Sequence, residues 1–445
     1  MDLLNGKIRK IYFKYLTAAF GSTLILSIYS LVDTIAIGHY EGPNGTAAVA
    51  TFFPMWSILF AFGLLFGIGG SVIMAQKRGA GKKEEGNEYF TVALLSSIIL
   101  SVVLFIVYVL FSEPLLRFCG ADGEVLTLAM EYAKWISLFS PLFIIGQVLV
   151  PFIRNDESPV YTTIAVVAGG VFNIFGDIFF VFVCDMGISG AGLATALGQV
   201  ISFIVLIIYF FTSKNTIQLV KDVKKLKIAK KTKDIAKMGL SNFVVDIAIG
   251  VLIVMFNNQV MKYFGAAALA VYGVVSNVST MVQTFAYSIG ESSQAIISVN
   301  FGAKKMNRVK ETFKYAAVSA CVLGIICFIA GESMPILLVK AFMKTTPEVL
   351  SIAPQILRLY FISFIFLVFN VFSTYYFQSI NKPNISTAVS LMRGIIVSGI
   401  CIYVLPLILN ANAIWIAMPL TELLVCAFIV ISIVKYNPQK KANKI

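Results

Sequence analysis

Long apolar runs recur along the whole chain and constrain its fold more than any other feature. Twelve runs can be counted, and most have the roughly 20 residues that a helix needs to cross about 30 Å of hydrocarbon. Only 13% of the 445 residues are charged, about half the share found in soluble domains. A transmembrane β-barrel would show segments of about 10 residues with alternating polarity, which this sequence lacks. The sequence therefore predicts an all-α membrane protein with 12 transmembrane helices.

A basic segment divides the apolar runs into two sets of six. The runs cover residues 14–38, 48–75, 89–112, 131–153, 160–183 and 190–212, then 238–261, 268–298, 314–339, 354–378, 385–408 and 412–434. Residues 213–237 lie between the two sets and carry nine lysines. We predict an N-lobe over residues 1–212, a basic cytoplasmic linker over 213–237 and a C-lobe over 238–445.

Most of the 35 lysines and arginines fall on one predicted side of the membrane. They cluster at the N-terminus, in the loop at residues 76–83, in the linker, at residues 304–314 and in the C-terminal tail. Cytoplasmic loops are enriched in Lys and Arg, so both termini and the linker are predicted to be cytoplasmic. The net charge of +13 thus follows from membrane topology, and we expect the lipid bilayer rather than a nucleic acid as the partner.

The two halves of the chain repeat. Gly67 matches Gly290 at an offset of 223 residues, and Pro159 matches Pro383 at an offset of 224. Because each half has an even number of spans, both halves have the same orientation. This implies a pseudo-twofold axis along the membrane normal, as in many secondary transporters, with two six-helix lobes that rock about a central cavity.

Two carboxylates are predicted to share one pocket in the outer half of the N-lobe. Asn173 and Asp177 lie four residues apart in the fifth run and share one helix face. Asp33 lies near the end of the first run, with Tyr29 one turn earlier, and the first and fifth helices run in the same direction. A carboxylate in hydrocarbon is costly unless it meets a partner, water or a proton. We therefore predict a site for a proton or for Na⁺, unless Asp33 reaches the headgroup region instead.

Polar residues also recur along one face of the eighth predicted helix, at spacings of three and four. They are Asn277, Thr280, Thr284, Tyr287, Glu291, Gln294 and Ser298. A continuous polar stripe indicates a helix that lines water or a polar cavity, with Glu291 as its one formal charge. We predict that this stripe lines a substrate cavity. The alternative is an interhelical hydrogen-bond seam.

Three further ionisable residues fall at similar depths in predicted C-lobe spans: Asp246, Arg393 and Glu422. They form either a buried ion-pair cluster that locks helices together or a part of the transport site, and the residues favour neither. No signature of catalysis or of a cofactor is present. The glycine loop at residues 79–83 lacks the GxxxxGK[ST] pattern, and the single histidine, His39, has no metal-ligand companions. We expect no enzyme activity and no cofactor, with metal binding limited to Na⁺ at the two N-lobe aspartates.

Several motifs, taken in order, resemble the multidrug and toxic compound extrusion (MATE) family. They are DTIAIG at Asp33, the loop QKRGAGKK, the turn RNDESP, and NIFGD followed by GISGAGLATALGQ. The resemblance runs along nearly the whole chain. It implies a bacterial cell-membrane antiporter that exports organic cations, and we expect a monomer.

The resemblance also implies roles for particular residues. Acidic residues in the first and fifth helices of the family match Asp33 and Asp177, its polar partner one turn earlier matches Asn173, and its eighth-helix acid matches Glu291. The chain departs from the family where Ile178 replaces a common proline after the fifth-helix aspartate. A common proline early in the seventh helix is also missing, so the bending of both helices is in doubt.

The leading hypothesis is an antiporter that exports amphipathic, cationic compounds in exchange for protons or Na⁺ by alternating access. A flippase for lipid-linked oligosaccharides or precursors is the alternative within the same superfamily, but it calls for a basic cavity, and Arg393 is the only clearly intramembrane cation. An integral membrane enzyme or sensor is the third hypothesis. It would need a nucleophile and base, a metal cluster or a soluble domain, and the loops leave no room for a domain.

Overall fold

The computed structural model describes residues 2–222, 226–343 and 346–436, and every regular element in these ranges is a helix. The helices are α1 (Ile8–Tyr40), α2 (Gly42–Gly79), α3 (Lys83–Phe118), α4 (Gly123–Asn155), α5 (Pro159–Gly176), α6 (Gly187–Tyr209), α7 (Ile228–Gly302), α8 (Met306–Ser333), α9 (Pro335–Phe342), α10 (Pro347–Phe361), α11 (Phe364–Ser379), α12 (Pro383–Leu391), α13 (Val397–Ile408) and α14 (Ala417–Lys435). The basic residues predicted at 224, 225 and 344, and those of the tail beyond residue 436, lie outside the described residues.

Ten helical segments of the described chain are long and apolar enough to cross a membrane. The pair α10 and α11, bent by 41°, makes an eleventh. The exposed residues of α8 include Val318, Val322 and Ile325, as expected of a helix surrounded by lipid. The chain is therefore a multi-pass, all-α membrane protein, and that prediction is confirmed.

Helix α7 contains two of the predicted spans, separated by a break at Gly265. This glycine has φ 79° and ψ −166°, a conformation that is strongly disfavoured for residues with a Cβ. The segment Ile228–Gly265 is one of the ten apolar segments. Residues 266–302 are also helical and contain the predicted polar stripe, but they are not among the ten apolar segments. The eighth predicted span, residues 268–298, is thus a helix.

The chain divides into two compact units, Met1–Phe243 and Val244–Ile445. The first unit contains α1 to α6, the predicted basic linker and the start of α7. In this unit α2 and α4 pack closely at Gly67, where an added Cβ would lie 2.8 Å from the carbonyl oxygen of Gln147. The second unit contains the rest of α7 and α8 to α14, and most residues of α11 are buried.

Two of the described spans contain a π turn. After α5 the chain continues as a π turn over Asp177–Val183, and between α12 and α13 it forms a second π turn over Met392–Ile396. Such wide turns inside helices often occur at functional sites. Each of these two turns contains an ionisable residue that the sequence had singled out, Asp177 in the first and Arg393 in the second.

A buried ion pair fastens the predicted linker to the first unit. Arg78, near the end of α2, is paired with Asp156 in the turn between α4 and α5, and their side chains are 13% and 3% exposed. Asp156 also accepts hydrogen bonds from the Tyr209 hydroxyl at 2.7 Å and from the backbone N–H of Thr216 at 2.8 Å. Arg78 donates to the carbonyl oxygen of Thr216 at 3.0 Å. One ion pair thus connects α2, the α4–α5 turn, α6 and the start of the linker.

Candidate functional site

Helices α1 and α5 bring the two predicted N-lobe carboxylates together. Asp177 is fully buried and Asp33 is 7% exposed, and the two are close enough to interact electrostatically. Tyr29 lies one helical turn before Asp33 on α1. The Tyr132 hydroxyl of α4 donates a hydrogen bond to Asp33 Oδ2 at 3.3 Å. Asp33 therefore belongs to a buried pocket of the first unit.

The pocket contains oxygen atoms that accept no hydrogen bond from any residue that the structure describes. Asn173 donates through Nδ2 to Thr195 Oγ1 at 3.1 Å, which leaves its Oδ1 atom without a donor. Asp33 Oδ1 and both carboxylate oxygens of Asp177 are also buried and without a donor. Burying an unpaired carboxylate is so costly that such a group takes up a proton or a cation instead. These oxygens can only accept, so the pocket suits either a proton or a cation.

Close helix packing at glycines positions these side chains. An added Cβ at Gly198 of α6 would lie 2.7 Å from the carbonyl oxygen of Gly169 and 3.3 Å from the Asn173 Cβ. An added Cβ at Gly170 would lie 3.2 Å from the ring of Tyr29. The glycines thus let α1, α5 and α6 approach closely enough for Asn173 to reach Thr195.

Asp177 is the first residue of the π turn that follows α5. The turn is closed by the Cys184 N–H, which donates to the Phe179 carbonyl oxygen at 2.9 Å. The sequence left the bending of this helix in doubt because Ile178 stands where many members of the family that it resembles have a proline. The α-helix is interrupted at this point although no proline is present, because the π turn is wider than an α-helical turn.

The predicted polar stripe of residues 266–302 divides between different environments. Asn277, Thr280 and Thr284 donate to carbonyl oxygens one turn earlier in their own helix. Tyr287 accepts a hydrogen bond from Gln283 at 2.6 Å, and Glu291, one turn later on the same helix, is partly buried.

At the far end of the stripe, Gln294 is 3% exposed and donates to Gln378 of α11 at 2.9 Å. Ser298 is fully buried. The hydrogen-bond seam considered from the sequence therefore describes this end, while Thr280 lines a cavity of the second unit.

The structure pairs two of the three ionisable residues predicted in the C-lobe. Arg393 donates to the Glu422 carboxylate through Nε at 3.0 Å and through Nη2 at 2.7 Å. Asn370 of α11 donates to the same carboxylate at 2.6 Å. Asp246 forms no ion pair among the described residues, and its Oδ2 atom is buried without a donor. The predicted cluster is therefore an Arg393–Glu422 pair with Asp246 outside it.

Three residues of these two sites were missed from the sequence. Tyr132 and Thr195 resemble ordinary residues of amphipathic spans, and only the packing of α4 and α6 brings them to the aspartates. Asn370 carried a usable signal, because it is a lone amide inside the apolar run FIFLVFNVF. Among the described residues, no group of three or more His, Cys, Asp or Glu side chains has the geometry of a metal site. Na⁺ in the Asp33 and Asp177 pocket of the first unit would therefore need other oxygen ligands, such as the Asn173 amide oxygen.

Comparisons of the sequence and the fold with known proteins agree on one family. The MatE family model matches twice, over residues 18–179 and 244–404, one match in each unit. The chain is 26% identical over 420 residues to the multidrug export protein MepA of Staphylococcus haemolyticus (strain JCSC1435), covering 93% of this chain and 90% of that one. It is 25% identical over 379 residues to MepA of Staphylococcus aureus (strain MSSA476), covering 84% and 82%.

Solved structures share the fold. One, an outward-facing multidrug resistance MATE family transporter of the MOP superfamily, matches with a TM-score of 0.91 at 20% identity, covering 99% of this chain and 98% of that one. Another is a MOP superfamily transporter from Pyrococcus furiosus, described as having a binding pocket of reverse polarity. It matches with a TM-score of 0.89 at 20% identity, covering 96% and 95%.

Proposed function

The chain belongs to the MatE family of multidrug transporters, and we propose that it is an antiporter that exports amphipathic cations in exchange for protons or Na⁺. Its relatives are transporters, so this multi-pass membrane protein is a transporter and not an enzyme. The coupling ion, the charge of the substrate, the monomeric state and the cytoplasmic position of both termini are parts of the proposal.

The observation that carries the proposal is the set of buried oxygens on Asp33, Asn173 and Asp177 to which no described residue donates a hydrogen bond. Two adjacent buried carboxylates that lack counter-charges require a proton or a metal cation for stability. Losing that ion leaves negative charge in the pocket, which attracts an organic cation instead. The two ligands then compete, so binding of the coupling ion favours release of the drug. Alternating access converts this competition into exchange across the membrane.

The substrate class follows from the combination of carboxylates with aromatic and apolar walls. Amphipathic cations bury apolar area against such walls and gain cation–π contacts as well as charge pairing. Tyr29 and Tyr132 provide aromatic surface next to the aspartates. We also propose that Glu291 and Tyr287 contribute to a substrate cavity in the second unit, with Glu291 selecting for positive charge.

The flippase remains the second candidate, and one observation weighs against it. A pyrophosphate-binding cavity needs excess positive charge, whereas the Arg393 guanidinium is neutralised by Glu422 at 2.7 Å. The Asn370 amide further stabilises that carboxylate. The second unit therefore offers no uncompensated cation at this position for a lipid pyrophosphate.

The test is a gradient-swap assay with the full chain in proteoliposomes and ethidium as the substrate. A pH gradient and a Na⁺ gradient are imposed separately, and ethidium movement is followed by fluorescence. We expect transport to follow at least one gradient and to stop when an ionophore collapses it. Ethidium movement that ignores both gradients would refute antiport.

A further inference from the structure

The first turns of α7 expose a row of lysines. Residues 226–243 contain five lysines and a single acidic residue. Four of these lysines are exposed and lie three or four residues apart, so they share one side of the helix start. We call these four residues, Lys227, Lys230, Lys233 and Lys237, the lysine face. It belongs to the first unit.

Contacts on the opposite side of α7 fix the direction of the lysine face. Lys231 forms an ion pair with Glu88 of α3 at 2.5 Å, and its ammonium group lies 4.4 Å from the centre of the Tyr89 ring. The Tyr89 hydroxyl donates a hydrogen bond to Asp234 at 3.1 Å. The acidic residue of the segment is therefore engaged with α3, and rotating the helix would break all three contacts.

The lysine face is not neutralised within the described part of the chain. No acidic side chain there forms an ion pair with any of its four members. Lys230 and Lys237 are seven residues apart, about 10 Å along a helix, so their fields overlap within roughly one Debye length. An uncompensated row of cations of this kind attracts a row of anions.

The lysine face lies where the surface of the first unit changes from polar to apolar. The hydroxyl groups of Thr232 and Ser96 of α3 are hydrogen-bonded at 3.0 Å, which places the two residues at one level. On α3, exposed apolar side chains follow at once, with Ile98 38% and Ile99 67% exposed. On α7, Leu240 is 40% exposed. Lipid headgroups occupy such a boundary between polar and apolar surface.

Lys237 lies closest to the apolar surface, three residues before Leu240. Its four-carbon stem can cover apolar surface while the ammonium group extends back to the headgroup level. Lys230 and Lys233 lie one and two turns earlier. Their ammonium groups are thus at the level of lipid phosphates, and a basic segment at this level is attracted to anionic lipids.

We propose that the lysine face binds the headgroups of anionic phospholipids where α7 enters the bilayer. It lies outside both stretches that match the family model, residues 18–179 and 244–404, so membership of the family gives it no role. The proposal does not depend on the coupling ion or on the exported substrate. It makes the lipids beside α7 richer in anionic headgroups than the bulk bilayer.

The test places a fluorescent reporter beside the lysine face. Leu240→Trp is made in the full chain, which is reconstituted into equal mixtures of phosphatidylcholine and phosphatidylglycerol. One lipid at a time carries brominated acyl chains, which quench the emission that the new tryptophan adds to that of the parent chain. The ratio of the two quenching values gives the preference for phosphatidylglycerol at this position. We expect a preference of about fivefold. A ratio of one would overturn the proposal.

Charge variants show whether the lysines cause the preference. Lys230→Gln, Lys233→Gln and Lys237→Gln together should lower the ratio to about one, and arginine at the same three positions should keep it. A folded glutamine variant that retains the preference would contradict the proposal. If that variant fails to fold, salt decides with the reporter chain alone. The preference should largely disappear in 1 M NaCl, which screens exposed charges beyond about 3 Å, and a preference unaffected by salt would refute an electrostatic site.

Two controls test whether the preference is local. Val322→Trp places the reporter on α8, where Val322 is 50% exposed, and should give a ratio of about one. Replacing the exposed and scattered Lys134, Lys262 and Lys340 by glutamine removes the same charge and should leave the ratio at Leu240→Trp unchanged. Equal preference at both reporters, or equal loss in both triple variants, would show that only net charge matters and would overturn the proposal. No gradient or drug enters this measurement, so its failure and that of the gradient-swap assay are distinguishable.

Discussion

The Tyr132 hydroxyl donates a hydrogen bond to Asp33 Oδ2 at 3.3 Å, and the other oxygen of Asp33 has no donor in the described part of the chain. The tyrosine thus orients the carboxylate while leaving one face free for a proton or a cation. This contact joins α4 to α1 beside Asp177 of the neighbouring π turn.

Tyr132→Phe should weaken the site without dismantling it. We expect ethidium export to follow the same gradient as in the wild type, with a transport rate about tenfold lower, because the Asp33 carboxylate loses the hydrogen bond from Tyr132. Rates in proteoliposomes measure the effect. Tyr108→Phe is the control, since the Tyr108 hydroxyl donates to the Met55 carbonyl oxygen at 2.8 Å and should leave coupling unchanged. Equal losses in the two variants would show that Tyr132 acts through stability alone.

Asp177→Asn should abolish the response of transport to either gradient. The amide has nearly the volume of the carboxylate, so the protein should remain folded while the charge that takes up the ion is lost. Size-exclusion chromatography and the gradient assay report the two properties separately. Glu113→Gln neutralises an acid whose side chain is 54% exposed and should transport as the wild type does. Normal gradient response in Asp177→Asn would remove Asp177 from the mechanism.

Glu422→Gln should destabilise the second unit by about 3–5 kcal/mol, because it leaves the buried Arg393 guanidinium without its counter-charge. Adding Arg393→Gln should recover much of that loss by removing the unpaired charge. Thermal unfolding in detergent measures both variants. A double variant as unstable as Glu422→Gln alone would contradict this explanation, because the loss of stability would then not come from the unpaired charge of Arg393.

Asp156→Asn should release the start of the linker from the first unit. The substitution breaks the ion pair with Arg78 and weakens the hydrogen bonds from Tyr209 and Thr216, at an expected cost of about 3 kcal/mol. Limited trypsin digestion should cut after Lys214 and Lys221 faster than in the wild type. The exposed pair of Arg117 and Glu113 is the control, because its loss should change stability by less than about 1 kcal/mol. Unchanged cleavage would show that Asp156 does not hold the linker to the first unit.

The sequence could predict the aspartate site of the first unit because burying a charge inside an apolar run is costly. A charged residue in such a run therefore stands out as a candidate functional residue. Asp33 and Asp177 were found by that rule, and their common helix direction placed them at one depth. Tyr132 and Thr195 could not be found in this way. Their roles depend on the approach of α4 and α6 to α1 and α5, which tight contacts such as that at Gly198 permit, and a periodicity argument contains no information about such contacts.

The second unit shows the limit of helical periodicity more sharply. Spacings of three and four residues identified one polar face, but they could not say what the face contacts along its length. Gln294 bonds to Gln378 of α11, while Thr280 lines the cavity. Similar depth likewise suggested that Asp246 joins Arg393 and Glu422, yet only the last two meet. Depth along the membrane normal says at which level a side chain lies. Which neighbours it contacts depends also on the position and rotation of its helix, which the sequence pattern does not give.

Competition between the coupling ion and the drug is the central claim, and ion release on drug binding measures it most directly. The purified protein is mixed with saturating ethidium in weakly buffered solution, with a pH indicator in one experiment and bound radioactive Na⁺ in a parallel one. We predict release of about one proton or one Na⁺ for each ethidium bound by the wild type, and none by Asp177→Asn. Ethidium binding that releases neither ion, or equal release by the wild type and Asp177→Asn, would contradict the account.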